Sequence, residues 1–419
     1  MSTGPAGSAD ARTESEFLVV VHAGAGYHSK SREETFLAAC RRACGAARAR
    51  LLAQGSSLEA VADAVAVLED DESCNAGKGS NLTLDGRVEC DASIMDGESG
   101  AWGGVAAVSS VRNPIRVATL LASDQMQEVP LSCGRVRPIL LCGDGARNWA
   151  ESRRQVVTCA ESDELITSEA RRRWKKYKRL VDGKSTLCNN VASGSQPSSA
   201  PPISEVYDDS LLGDTVGAIC CDGKLRVAAA VSSGGHWLKH PGRIGEAASF
   251  GAGCWAQVVT TEKDRQAVGV SVSGVGEAVM QGLVARTVGN ACVRGKEPSE
   301  VALTSLAQVE AGAAGLVGIA CSSRSTTGAE VFWAHGTPSL ALAYIHHGMP
   351  EPVAMVSRTL EGSVSVSGKF VCFRGAYDFA DGSGSGSLPH HASQGAQSGE
   401  ASSQHERPKR ARTEMRPHV

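Results

Sequence analysis

Gly213-Asp214-Thr215-Val216-Gly217-Ala218 stands near the middle of the chain, after a long polar run and before its most strand-like segment. Scission between Asp214 and Thr215 would make Thr215 a new N-terminus, with a hydroxyl nucleophile and an amine base on one residue. The freed amine has an ordinary pKa of about 7.7–8.0, near what a general base wants at neutral pH, so no histidine is required. A free upstream segment lets the acyl side depart. Glycine turns after strands offer backbone donors for an oxyanion, each worth roughly 3 kcal/mol when preorganised. The dipeptide alone would be an ordinary strand start; its context carries the expectation of self-cleavage.

Other chemistry-bearing patterns fail on spacing. Gly183-Lys184-Ser185-Thr186 looks like the end of a phosphate loop, but Lys178 stands where the leading glycine belongs and no buried strand precedes it. Gly24/Gly26 and Gly274/Gly276 lack the third glycine of a dinucleotide fingerprint. His236 and His240 fall in a loop bounded by glycine and proline, without an acidic third ligand. No metal and no cofactor is expected. The 14 cysteines are scattered, with no CxxC pair, which predicts reduced thiols in a cytosolic or nuclear protein. Nothing at the start resembles a signal peptide, and no apolar run approaches the roughly 20 residues that span a bilayer, so no membrane partner is expected. A net charge of -3 gives no global case for nucleic-acid binding, although basic residues cluster at 171–179 and 408–412.

The elements that must position Thr215 follow from apolar periodicity. Residues 17–21 form a continuous apolar run, suited to a strand buried on both faces, and lead into His22-Ala23-Gly24-Ala25-Gly26. Ser31 with Glu34, and Ser56 with Glu59, form capping-box patterns ahead of two amphipathic helices. A Gly/Asn-rich loop at 74–81 precedes a hairpin turning at Asp85-Gly86. Residues 103–111 read as a further strand and 136–142 as a buried segment. Residues 216–221 and 225–232 flank a predicted two-residue turn at Asp222-Gly223. Further strands are predicted over 267–273, 316–321, 330–334 and 340–345, with a helix through Val279, Leu283, Val284 and Val288. Strands around the cut flanked by helices predict two packed sheets covered by helices. Residues 1–16 and 380–419 read as disordered, and 161–213 as a flexible basic and polar linker.

Together, several segments resemble the type 2 asparaginase family of N-terminal-nucleophile hydrolases. They are His22-Ala23-Gly24-Ala25-Gly26, Asn75-Ala76-Gly77, Glu89-Cys90-Asp91-Ala92-Ser93-Ile94-Met95-Asp96-Gly97, Thr215-Val216-Gly217-Ala218, Ser233-Gly234-Gly235, Gly242-Arg243 and Ser273-Gly274-Val275-Gly276-Glu277. Within the family, the aspartate before the nucleophile, Tyr27-His28-Ser29 after the first glycines, and Lys239-His240-Pro241-Gly242-Arg243 resemble the branch that cleaves proteins after aspartate.

The resemblance implies an α+β, four-layer αββα sandwich. It also implies a proenzyme cut into an α subunit (1–214) and a β subunit (215–419), whose catalytic part is 215–379, assembled as two αβ pairs. Thr215 would be the nucleophile and Ser233 the hydroxyl that tunes it. Ser273 and Gly274 would line the oxyanion hole, and Asn75 and Gly24 would place the Thr215 amine and the bound chain. Arg243 would hold a substrate carboxylate, with Arg32 as a second cation and Gly276 lining the substrate site. Glu246 stands where asparaginases use aspartate to grip a free amine, which keeps asparaginase or isoaspartyl peptidase activity as an alternative. The implied substrates are nuclear transcriptional regulators, which places the protein in nucleus and cytoplasm with the basic runs as import signals. A third reading is an uncleaved interaction protein that uses 171–179 to bind acidic partners.

Overall fold

The computed structural model describes residues 16–127, 129, 131–153, 162–190, 215–309, 313–325, 328–359 and 365–371, with 184–190 and 365–371 as backbone only. Asp214, the 408–412 run, residues 191–213 of the expected linker and nearly all of the expected tails lie outside these residues.

Strand β1 (Phe17–Gly26) is buried along its whole length. Phe17, Val19, Val21 and Ala23 face one core, and Leu18 and Val20 face another. A strand between two cores needs apolar side chains at every position, hence the unbroken apolar run.

Eight strands form the first sheet: β12 (Val353–Arg358), β11 (Ser339–His346), β1, β5 (Val216–Asp222), β6 (Val227–Ser233), β2 (Cys90–Asp96), β3 (Trp102–Val108) and β4 (Leu140–Cys142), in that spatial order. The second sheet runs β13 (Ser365–Val371), β10 (Ala329–His335), β9 (Ala314–Ser322), β8 (Arg265–Gly274), β7 (Cys254–Thr260). Helices α1 (Glu33–Leu52), α2 (Ser57–Glu69) and α3 (Pro114–Gln125) share the outer core with β1, β5 and β6. The inner core joins Val227, Ala229 and Val231 to Val268, Val270 and Val272 of the facing sheet. Helices α7 (Val284–Cys292) and α8 (Pro298–Gln308) pack on that sheet through Val284, Val288, Val301 and Ala302. This is the four-layer αββα sandwich. Helices α4 (Gly143–Ser152), α5 (Ser168–Asn190) and α6 (Gly276–Gly282) complete the set.

Several local expectations change. The box at Ser56 and Glu59 forms, but α1 begins at Glu33 with Arg32 as an N-cap that makes no side-chain cap bond, and Glu34 pairs with Arg41. The β5–β6 turn is wider than two residues, because Asp222 Oδ1 accepts the Lys224 and Arg226 amides and Leu225 takes a φ of 54°. The predicted helix through 279–288 breaks at Leu283, whose φ is 43°, into α6 and α7. Residues 140–142 form β4, but Leu140 and Cys142 are exposed. Within the expected linker, 168–190 is helix α5. Ala170 and Tyr177 are buried, Trp174 Nε1 donates to the Thr83 carbonyl at 2.9 Å, and Tyr177 packs 4.5 Å from the Trp237 ring. Positions 170, 174 and 177 form a helical stripe that the surrounding charge hid from a compositional reading.

Packing between the layers should be sensitive to one methyl group. A Cβ at Gly318 would lie 2.1 Å from the Phe332 ring, whereas at Gly45 in α1 nothing lies within 4 Å. G318A should therefore cost about 1–3 kcal/mol, and G45A should add up to about 1 kcal/mol. Urea unfolding of the two variants checks this, and equal midpoints would refute it.

Candidate active site

Thr215 stands one residue before β5 and is 1% exposed. The β5–β6 register pairs Val216 with Ser232, which sets Thr215 against Ser233; Ser233 in turn pairs with Asp91 of β2. Thr215 Oγ1 lies 3.0 Å from Ser233 Oγ and 2.5 Å from Glu246 Oε1. Ser233 Oγ also accepts the Gly235 N–H at 3.0 Å. A hydroxyl has one proton. The Thr215 hydroxyl is the donor in both contacts, so its one proton serves Glu246 or Ser233 at a time. Burial raises the Glu246 carboxyl above its ordinary pKa, opposed by the Thr215 hydrogen bond and the Arg243 charge.

The loop carrying Arg243 and Glu246 is tied to β2 by buried carboxylates. Asp91 accepts the Gly245 N–H at 2.7 Å and the Ala107 N–H at 2.8 Å, and Glu89 accepts the Gly242 N–H at 2.7 Å. A Cβ at Gly276 would sit 2.5 Å from Glu246 Oε2 and 2.6 Å from Arg243 Nη2, so only glycine lets the three meet.

Asn75 binds the turn after Ser233. Its Nδ2 donates to the Gly235 carbonyl at 2.9 Å, its own carbonyl accepts the Gly234 N–H at 2.8 Å, and its Oδ1 accepts the Asn81 N–H at 2.8 Å. Ser273 Oγ accepts the Ala25 N–H at 2.9 Å, and Gly274 has a φ of 154° with the Ala313 carbonyl against it. Extending the β1–β5 register two residues past His22–Gly217 brings Gly24, with a φ of 109°, level with Thr215. Thr215, Ser233, Glu246, Gly276 and Arg243 are thus gathered, with Gly24, Ser273 and Gly274 at adjoining strand ends. Arg32 lies 5.1 Å over the Phe36 ring, and among the described residues no ion pair joins it to that group.

Three further residues make buried hydrogen bonds around the strands that hold Thr215. His22 Nε2 and Ser271 Oγ are 2.8 Å apart beside Gly217, and burial lowers the imidazole to about 3, keeping it neutral. Glu69 ends α2 and accepts from the Ile115 N–H at 3.0 Å and the Ser232 hydroxyl at 2.7 Å. His22 stood out in the sequence as the polar residue directly after the apolar run 17–21, inside β1. Glu69 was hidden in the acidic run 69–72, and Ser271 among strand residues.

A buried threonine hydroxyl heading a strand of an αββα sandwich, with a serine and a carboxylate on its oxygen, defines an N-terminal-nucleophile hydrolase. Residues 15–351 match the family model described as asparaginase. The human isoaspartyl peptidase/L-asparaginase is 34% identical over 309 residues, covering 74% of this chain and 87% of the relative. That of Xenopus laevis is 33% identical over 302 residues, 72% of this chain and 84% of its own length. The plant-type L-asparaginase of Pyrococcus abyssi is 32% identical over 342 residues, 81% and 99% respectively. The chain belongs to the asparaginase family.

Two outcomes follow from this geometry. A Cβ at Gly217 would lie 2.1 Å from Ser271 Oγ and 2.4 Å from His22 Nε2. G217A should therefore displace the strand behind Thr215 and lower hydrolysis by about a hundredfold, since small misplacements carry such penalties; a rate within threefold of wild type, on the same estimate, would refute it. Burial raises the Glu69 carboxyl to about 8, so the folded chain binds a proton that the unfolded chain has lost, and stability falls as pH rises from about 4.5 to about 8. E69Q should flatten this slope, read as urea midpoints across the window; an unchanged slope would exclude Glu69 as its source.

Proposed function

We propose that the chain is a threonine aspartase: an endopeptidase that cuts itself between Asp214 and Thr215 and then cuts other proteins after aspartate. The observation that carries this reading is the aspartate immediately before the nucleophile. The first substrate is the chain itself, and a pocket that accepts Asp214 accepts the same side chain from another protein. Arg243 is the cation beside the nucleophile suited to hold that carboxylate through a charge-assisted hydrogen bond.

Before the cut, the Thr215 nitrogen is an amide and cannot act as a base. Its hydroxyl oxygen attacks the Asp214 carbonyl carbon, the C–N bond breaks, and the amide nitrogen leaves as an amine that gains the hydroxyl's proton. Water then hydrolyses the ester, which frees the Asp214 carboxylate and restores the hydroxyl. In later cycles the Thr215 amine takes the hydroxyl proton while Ser233 donates to its oxygen. The two chains remain as an αβ pair, two pairs associate, and nuclear regulators exposing an aspartyl bond are the substrate class. The basic run 171–179 on α5, with Arg171, Arg172, Lys175, Lys176 and Arg179 exposed, would serve as the import signal.

A second reading is supported by the relatives' names and by Arg243 and Glu246 meeting at Gly276, one cation and one anion as for a free amino acid. Against it, burial raises the Glu246 pKa and the Thr215 hydroxyl occupies its Oε1, both of which weaken it as a partner for a free ammonium.

Purified wild type should run as two bands and cleave a fluorogenic peptide containing Asp followed by Gly. T215A should run as one band. R243A should process more slowly and, once processed, cut the peptide about a hundredfold more slowly, the scale for removing one partner of a buried charge pair. Hydrolysis of asparagine or a β-aspartyl dipeptide with the Asp-Gly peptide untouched would replace this reading by the second. A single inert wild-type band would remove both and leave an interaction protein.

A further inference from the structure

Glu277 directly follows Gly276 and takes the Arg243 guanidinium from one side. Arg243 Nε donates to Oε1 at 2.8 Å and Nη2 donates to Oε2 at 2.6 Å. Two parallel bonds fix the plane of the guanidinium, which a single contact would leave free to rotate. The opposite nitrogen, Nη1, has no hydrogen-bond partner among the described residues and lies against glycine backbone: a Cβ at Gly245 or Gly235 would stand 2.7 Å or 3.3 Å from it. The Glu277 side chain is 54% exposed and that of Arg243 14%, so the carboxylate is on the solvent side of the pair. The hydrogen bonds from Arg243 hold Glu277 ionised, with its pKa lowered to about 2.

We propose that Glu277 is a positioning residue for substrate binding, holding the Nε and Nη2 edge of Arg243 so that Nη1 is presented to the substrate carboxylate across the gap left by Gly235 and Gly245. The proposal rests on the reading of Arg243 as the carboxylate clamp. Glu277 contacts no reacting atom, so its effect belongs in substrate binding rather than in bond making. The opposed possibility, a carboxylate that the substrate must displace from Arg243, makes the opposite prediction for KM.

Processed enzyme and the Asp-Gly peptide test it by steady-state kinetics. E277Q should raise KM about ten- to a hundredfold, the scale of one hydrogen bond to a charged group, with kcat little changed. R243A/E277Q should be no worse than R243A alone, because Glu277 acts through the arginine. An unchanged or lowered KM in E277Q, or additive losses in the double variant, would overturn the proposal. If R243A itself left KM unchanged, the clamp reading would fall with it; if R243A raised KM and E277Q did not, only the role of Glu277 would fall. Two-band processing and the urea midpoint report folding of each variant. Should E277Q not process, E277D keeps the charge but is too short to span both nitrogens, and the same KM outcomes apply to it.

Discussion

The Thr215 hydroxyl is buried between a serine and a carboxylate, and that confinement organises the molecule. A carboxylate as enclosed as Glu246 is costly unless hydrogen bonds satisfy it. Here one partner is the Thr215 hydroxyl, so satisfying the acid and orienting that oxygen are the same act. The height of Thr215 is set by β5 between β1 and β6, and the position of Glu246 by a loop pinned to Asp91 and Glu89. Glycines at 217 and 276 let these groups approach because no Cβ intervenes.

Much of the frame was legible where burial leaves a one-dimensional trace. The two-faced strand at 17–21, the capping box at Ser56 and Glu59, and the strand after Thr215 each follow from neighbours along the chain. Contacts made across the fold left no such trace. The Ser31–Glu34 pattern matched a capping box, yet α1 starts two residues after Ser31 and Glu34 pairs with Arg41. Helix α5 was hidden because its apolar stripe is three residues wide in a field of charge. Thr215 was read from the junction it stands at, Ser233, Arg243, Glu246 and Gly276 from a resemblance, and geometry brings them together. Glu69, Ser271 and Glu277 act through partners between 34 and 249 residues away, which no local pattern encodes.

Membership of the asparaginase family leaves the choice of substrate to a few side chains around the site. The pocket mixes one arginine with one deeply buried glutamate, and the balance depends on hydration as much as on formal charge. Burial disfavours the ionised glutamate, while Arg243 keeps its charge with a carboxylate at its side.

Strand β1 is hydrogen-bonded on one side to β5 and on the other to β11, a segment more than a hundred residues beyond Thr215. During synthesis, therefore, the sheet that frames the nucleophile stays incomplete until residues 339–346 have left the ribosome. Any cut that needs the finished sheet is thereby deferred until those residues exist. Once made, it leaves two polypeptides interleaved strand by strand, whose separation would require unzipping the centre of the sheet.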